Sequence, residues 1–110
     1  GKEVHDYIYV TDIAAGCLAA MTSDKHGLVM NLATAVDSTL TDVVQTVLKV
    51  CGSALKPEYR PDTRVVRSAG GTHLGFSRKR AESAIGWVPE VSLEEGIRRY
   101  GRWLEQQRHD

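Results

Sequence analysis

The 110-residue sequence is 42% apolar and 6% aromatic, and it balances 14 Lys/Arg against 14 Asp/Glu. That suits one domain, residues 1–110, with a modest core of Val, Leu, Ile and Ala. Zero net charge argues against nucleic-acid binding, no apolar run reaches the ~18 residues of a membrane span, and no basic-then-apolar leader is visible.

In chain order, Tyr7-Ile8-Tyr9-Val10 has the propensity of a buried strand. Thr11 or Asp12 then caps a helix whose apolar face is Ile13, Cys17, Ala20 and Met21. Ser23 to Gly27 is a polar turn, and Leu28-Val29-Met30-Asn31-Leu32 is a second short strand. Thr39-x-x-Asp42 opens the clearest helix, with Leu40, Val43, Val44, Val47, Leu48 and Cys51 on one stripe and Gly52 at its end. From Ser53 to Gly75 the periodicity fades. Pro57, Pro61 and Gly70-Gly71 mark turns there, around one or two short strands that include Val65-Val66. Ser77 begins a helix to Ile85, which Gly86 closes in a left-handed conformation. Trp87 follows as an apolar anchor, Pro89 stops the helix from restarting, and Ser92 with Glu95 forms a capping box. The last helix is expected to bury Leu93, Ile97, Tyr100, Trp103 and Leu104. The fold class is therefore α/β, as a small α+β fragment of short strands and about four helices.

Both cysteines, Cys17 and Cys51, fall on apolar helix faces at no metal-like spacing, so they read as buried thiols of a cytoplasmic protein. The charge is unevenly spread. Residues 56–80 hold seven cations (Lys56, Arg60, Arg64, Arg67, Arg78, Lys79 and Arg80) against Glu58 and Asp62, an excess that suits an anionic ligand or a solvated basic surface. Arg78-Lys79-Arg80 oppose the positive end of a helix dipole, which marks either a ligand or partner surface or a tolerated solvated face. No Gly-x-Gly-x-x-Gly turn follows a strand, no Tyr-x-x-x-Lys pair exists, and His5, His26, His73 and His109 form no metal spacing. By itself the chain carries no catalytic, cofactor-binding or metal-binding set.

Four landmarks in order resemble the extended short-chain dehydrogenase/reductases, the NAD-dependent sugar-nucleotide epimerases and dehydratases. They are His5-Asp6-Tyr7-Ile8-Tyr9-Val10-Thr11-Asp12, Met30-Asn31-Leu32-Ala33-Thr34-Ala35, the helix start Thr39-Leu40-Thr41-Asp42-Val43-Val44, and Gly86-Trp87-Val88-Pro89 before Leu93-Glu94-Glu95-Gly96. The resemblance covers Val4 to Leu104 and implies the C-terminal, substrate-binding portion of such an enzyme. The Rossmann domain, its NAD or NADP and the catalytic Tyr and Lys would then belong to an N-terminal part absent from this sequence. Asp12 would cap its helix. His5 stands where the family has an Arg that reaches the diphosphate; it still hydrogen-bonds phosphate, without the bidentate contact of Arg. A second phosphate-binding Arg of the family falls on Arg67, with Arg64 as the fallback in register. Ala33 and Ala35 replace two glycines, which restricts that loop to ordinary backbone angles.

The implied partners are a nucleotide diphosphate-sugar, the missing Rossmann domain and, through apolar surface on residues 1–22, further copies of the chain. The alternative of a different class is a free-standing anion-binding or protein-interaction module derived from that family.

Overall fold

A computed structural model describes residues 1–60 and 75–108, which form four helices and one two-stranded antiparallel ribbon. β1 (Val4–Asp6) pairs with β2 (Asp37–Thr39) in the register Val4 to Thr39, His5 to Ser38 and Asp6 to Asp37. The helices are α1 (Val10–Thr22), α2 (Leu40–Val50), α3 (Lys79–Ile85) and α4 (Leu93–Gln107). The α+β class and the order of elements follow the sequence pattern. The strand positions do not. Tyr7–Tyr9 is irregular, Val10 already belongs to α1, and Leu28–Leu32 is irregular throughout. Strand propensity measures packing on a pleated surface, and neither segment meets a ladder partner among the described residues. Val4–Asp6 becomes strand because Asp37–Thr39 lies beside it. The short strand expected at Val65-Val66 lies outside the described residues.

Helix ends show how local sequence sets these boundaries. Thr39 Oγ1 accepts the Asp42 N–H at 3.0 Å and Asp42 Oδ2 accepts the Thr39 N–H at 2.8 Å, the reciprocal box expected for α2. At its other end the Ser53 N–H reaches the Leu48 carbonyl at 2.9 Å and Gly52 that of Lys49 at 3.1 Å, with Gly52 at φ +60°. Ser92 Oγ caps α4 by accepting the Glu95 N–H at 3.2 Å. Only that half of the expected box forms, because the Glu95 carboxylate turns to Arg98 at 3.2 Å and Arg99 at 2.8 Å. α1 has no side-chain cap: the Tyr9 carbonyl accepts the Asp12 N–H at 3.0 Å, which leaves Thr11 and Asp12 inside the first turn. α3 starts at Lys79 rather than Ser77, and Gly86 ends it at φ +66°.

Trp87 is the anchor that its sequence context predicts, 5% exposed; with Ala33 and Ala81 it makes up the buried apolar residues among those described. Gly16 lets α1 approach it closely: a Cβ there would stand 2.7 Å from Leu32 Cδ1 and 3.1 Å from Trp87 Nε1. The far half of α4 departs from expectation. Tyr100, Trp103 and Leu104 are exposed, and Tyr100 stacks on Trp103 with centroids 5.8 Å apart. Cys17 and Cys51 are also exposed and unlinked, which overturns the buried-thiol reading. α1 is apolar on all sides, so its stripe does not single out one buried face, and Cys51 sits past the last turn of α2.

Val10, Leu18 and Met21 of α1 and Val29 are exposed apolar residues. Among the described residues no helix is long and apolar enough to cross a membrane.

Candidate functional site

Asp6, Asp12 and Arg78 frame the site. Asp6, the last residue of β1, accepts the Thr34 N–H at 2.9 Å and its hydroxyl at 2.6 Å through Oδ1, and the Ala35 N–H at 2.7 Å through Oδ2. These bonds hold a turn in which Ala35 takes φ 57°. The expectation that alanine keeps this loop to ordinary angles is therefore corrected. The left-handed conformation costs about 1–2 kcal/mol, and charge-assisted bonds to a carboxylate offset a cost of that size.

Arg78 Nη1 donates to the Thr34 carbonyl at 2.7 Å, and Arg80 Nη1 to the Val29 carbonyl at 2.8 Å. Two cations of the basic triplet thus reach across to the segment from Val29 to Thr34, which gives their unfavourable place at a helix start a structural gain. Asp12, 5% exposed, fixes the opposite wall. Its carboxylate accepts the N–H groups of Glu90 and Val91 at 3.2 and 3.0 Å, so it clamps a distant segment rather than capping α1.

Between these walls lies a cleft of about 240 Å³ whose polar lining is Tyr7, Thr34, Ser38, Arg78, Glu90 and Ser92. His5 is exposed at the centre of β1, opposite Ser38 and edge-on to Tyr7 with ring centroids 5.9 Å apart. Directly paired cross-strand residues share a face, so His5 shares a face with Ser38, a lining residue, without lining the cleft itself. Arg64 and Arg67 lie outside the described residues. A neighbouring apolar groove of about 390 Å³ shares Tyr7 and adds Tyr9, Val43, Ile97 and Tyr100.

Charge pairs brace the helices around these clefts. Lys49 of α2 meets Glu94 of α4 at 2.7 Å. That bond, with one from Arg98, holds the Glu94 carboxyl below its ordinary range. Arg99 and Arg98 do the same for Glu95, and the Thr39 hydroxyl and N–H do so for Asp42. Arg99 also lies 5.9 Å from the Tyr9 ring centroid, at cation–π range.

Among the described residues no helix opens on the glycine-rich turn that cradles a dinucleotide in a Rossmann domain. The dinucleotide's pyrophosphate needs backbone N–H groups at a glycine-rich helix start, whereas the four helices open after Tyr9, Thr39, Arg78 and Ser92. The positive-φ glycines, Gly27, Gly52 and Gly86, lie in a turn or at helix C-termini.

With this geometry in place, three relatives define the lineage. The UDP-glucose 4-epimerase of Pisum sativum is 30% identical over 110 residues, covering 96% of this chain and 30% of that protein. The putative UDP-glucose 4-epimerase of Methanocaldococcus jannaschii is 29% identical over 108 residues, covering 96% of this chain and 32% of that protein. The crystal structure of UDP-glucose 4-epimerase with UDP-glucose from Thermotoga maritima superimposes with a TM-score of 0.84 at 27% identity, over 97% of this chain and 33% of that one. No protein-family model matches the chain. The chain is homologous to NAD-dependent sugar-nucleotide epimerases and dehydratases and spans about 30% of their length.

Of the site residues singled out from sequence, His5 pairs with Ser38, which lines the cleft, and Arg64 and Arg67 lie outside the described residues. Tyr7 and Ser38 were missed as lining residues. Tyr7 carries the propensity of a buried strand, and no strand signal marks Asp37–Thr39 in the sequence. Arg78 had a signal, a cation against a helix dipole, but nothing in the sequence separates it from Lys79 or Arg80.

Proposed function

We propose that this chain is the C-terminal, nucleotide diphosphate-sugar-binding portion of an NAD(P)-dependent sugar-nucleotide epimerase or dehydratase. The observation that carries the reading is the polar cleft lined by Ser38, the strand partner of His5, in a chain homologous over 97% of its length to an epimerase whose crystal structure holds UDP-glucose. His5 and Arg67, with Arg64 in reserve, contact the diphosphate, while Tyr7 and Ser38 border the sugar-nucleotide path. The N-terminal Rossmann domain holds NAD(P), which accepts hydride from the sugar, and it supplies the proton-transfer residues. The residues here bind and orient; they are not catalytic alone.

Exposed apolar surface also supports this reading. The exposed apolar faces of α1 and of Leu28-Val29 are surfaces that a larger body covers. Two exposed, unlinked thiols suit the reducing cytoplasm.

The test uses the full-length protein that carries these residues, incubated with UDP-glucose and dTDP-glucose and followed for epimerised or dehydrated product. Turnover with a KM raised by His5→Ala and by Arg67→Ala is expected. No turnover and no binding of either nucleotide sugar would leave the free-standing module as the better account.

A further inference from the structure

We infer that Arg78 is a phosphate-contacting residue of the cleft, additional to His5, Arg64 and Arg67. The identity of the ligand, a nucleoside diphosphate ester, rests on the reading above; the anion site itself rests on the geometry that follows. Of the three consecutive cations, Arg78 alone is half-buried and alone lines the cleft, while Lys79 and Arg80 are exposed. Among the described residues its guanidinium is held at one nitrogen, by the 2.7 Å bond from Nη1 to the Thr34 carbonyl.

A guanidinium has five N–H donors in a rigid fork, so this anchor orients the group and leaves most of its donors for another acceptor. Among the described residues no carboxylate pairs with it: Glu90, which lines the same cleft, is exposed and forms no ion pair with Arg78. A partly buried guanidinium with donors to spare is a favourable partner for an anion, since charge-assisted bonds to phosphate are strong. Tyr7, Ser38 and Ser92 line the same cleft, and a hydroxyl is a donor suited to phosphate or sugar oxygens. Arg80 is the internal contrast, an arginine that also pins a main-chain carbonyl but lines none of the clefts that meet Tyr7.

Equilibrium binding to the full-length protein tests this with three probes: UDP, uridine and inorganic pyrophosphate. Arg78→Met is expected to weaken UDP and pyrophosphate about tenfold or more. Uridine affinity should stay unchanged, and the dependence of UDP affinity on salt should become shallower. Arg78→Lys should fall between, and Arg80→Met should match wild type. If Arg78→Met fails to fold, Arg78→Lys and Arg78→Gln carry the same comparison. Equal UDP affinity in wild type and variant overturns the inference while leaving the sugar-nucleotide reading intact. An equal loss of UDP and uridine also overturns it, since that is the mark of a purely structural arginine. Pyrophosphate binding without UDP binding, lost in Arg78→Met, supports the inference and sinks the sugar-nucleotide reading. A wild-type protein that binds neither overturns both.

Discussion

Trp87 donates its indole N–H to the main-chain carbonyl of Asp12 at 2.9 Å, while the Asp12 carboxylate takes the N–H groups of Glu90 and Val91. One residue of α1 therefore secures the segment between α3 and α4 from both its main chain and its side chain. The wall of the cleft formed by Pro89 to Leu93 is held in place by this contact.

Truncating the anchor is the first prediction. Trp87→Ala should destabilise by about 3–5 kcal/mol, the range for deleting a large core aromatic. Trp87→Phe should cost less, since it keeps most of the apolar volume. Urea unfolding checks both, and an alanine variant within about 0.5 kcal/mol of wild type would show that Trp87 is not a packing anchor.

Asp12→Ala strips the acceptor from two main-chain N–H groups, each part-buried. A loss of about 2–4 kcal/mol is expected for two such charge-assisted bonds. Because Asp12 and Trp87 share one contact, the double variant should lose less than the sum of the singles. Strict additivity in that cycle would contradict the coupling.

Ala35→Gly should stabilise the protein by about 1 kcal/mol, because glycine adopts the φ of 57° without steric cost. Ala35→Val should do the reverse. Thermal unfolding reads the sign directly, and a glycine variant that melts lower would mean that the turn is not strained.

Acid should weaken the brace between α2 and α4. Glu94 and Glu95 sit below their ordinary 4.5 and Asp42 below its ordinary 3.8, all held down by hydrogen-bonding partners. A lowered carboxylate contributes stability that is fully present above its ordinary value and lost as pH falls through the lowered one. These groups are exposed, so the effect is modest and salt-sensitive. The melting-temperature gap between wild type and Lys49→Met should therefore narrow on acidification and in high salt. A gap that widens in acid would contradict the assignment.

Helix ends were the most legible part of the sequence, because a cap is a short-range device: Thr39 with Asp42, Gly52, Gly86 and Ser92 all act within a turn of their own positions. Strands were less legible because pairing depends on what lies alongside. Tyr7–Tyr9 has the propensity and stays irregular, whereas Val4–Asp6 pairs through a partner more than thirty residues away. The same locality limit hid the site. Nothing near Asp6 in sequence says that its carboxylate will hold Thr34 and Ala35, and nothing near Asp12 points to Glu90 and Val91. Burial on α4 was overestimated at Tyr100 and Trp103, since an apolar stripe records where a partner surface belongs, not whether it lies within these residues.

Exposed apolar surface on α1 has its own consequence. Isolated as 110 residues, the chain should self-associate through residues 1–22, where Val10, Leu18 and Met21 are exposed. Cys17→Asp or Leu18→Asp should reduce that association. Sedimentation showing a monomer at high concentration would contradict it.

Hydrogen exchange of the full-length protein with and without saturating UDP-glucose addresses the central claim most directly. Protection is expected in β1 and β2, in the Thr34–Val36 turn and in the segment from Pro89 to Leu93, which together border the cleft. Exchange unchanged across all of these segments, while UDP-glucose is bound elsewhere or not at all, would contradict a sugar-nucleotide site in this part of the molecule.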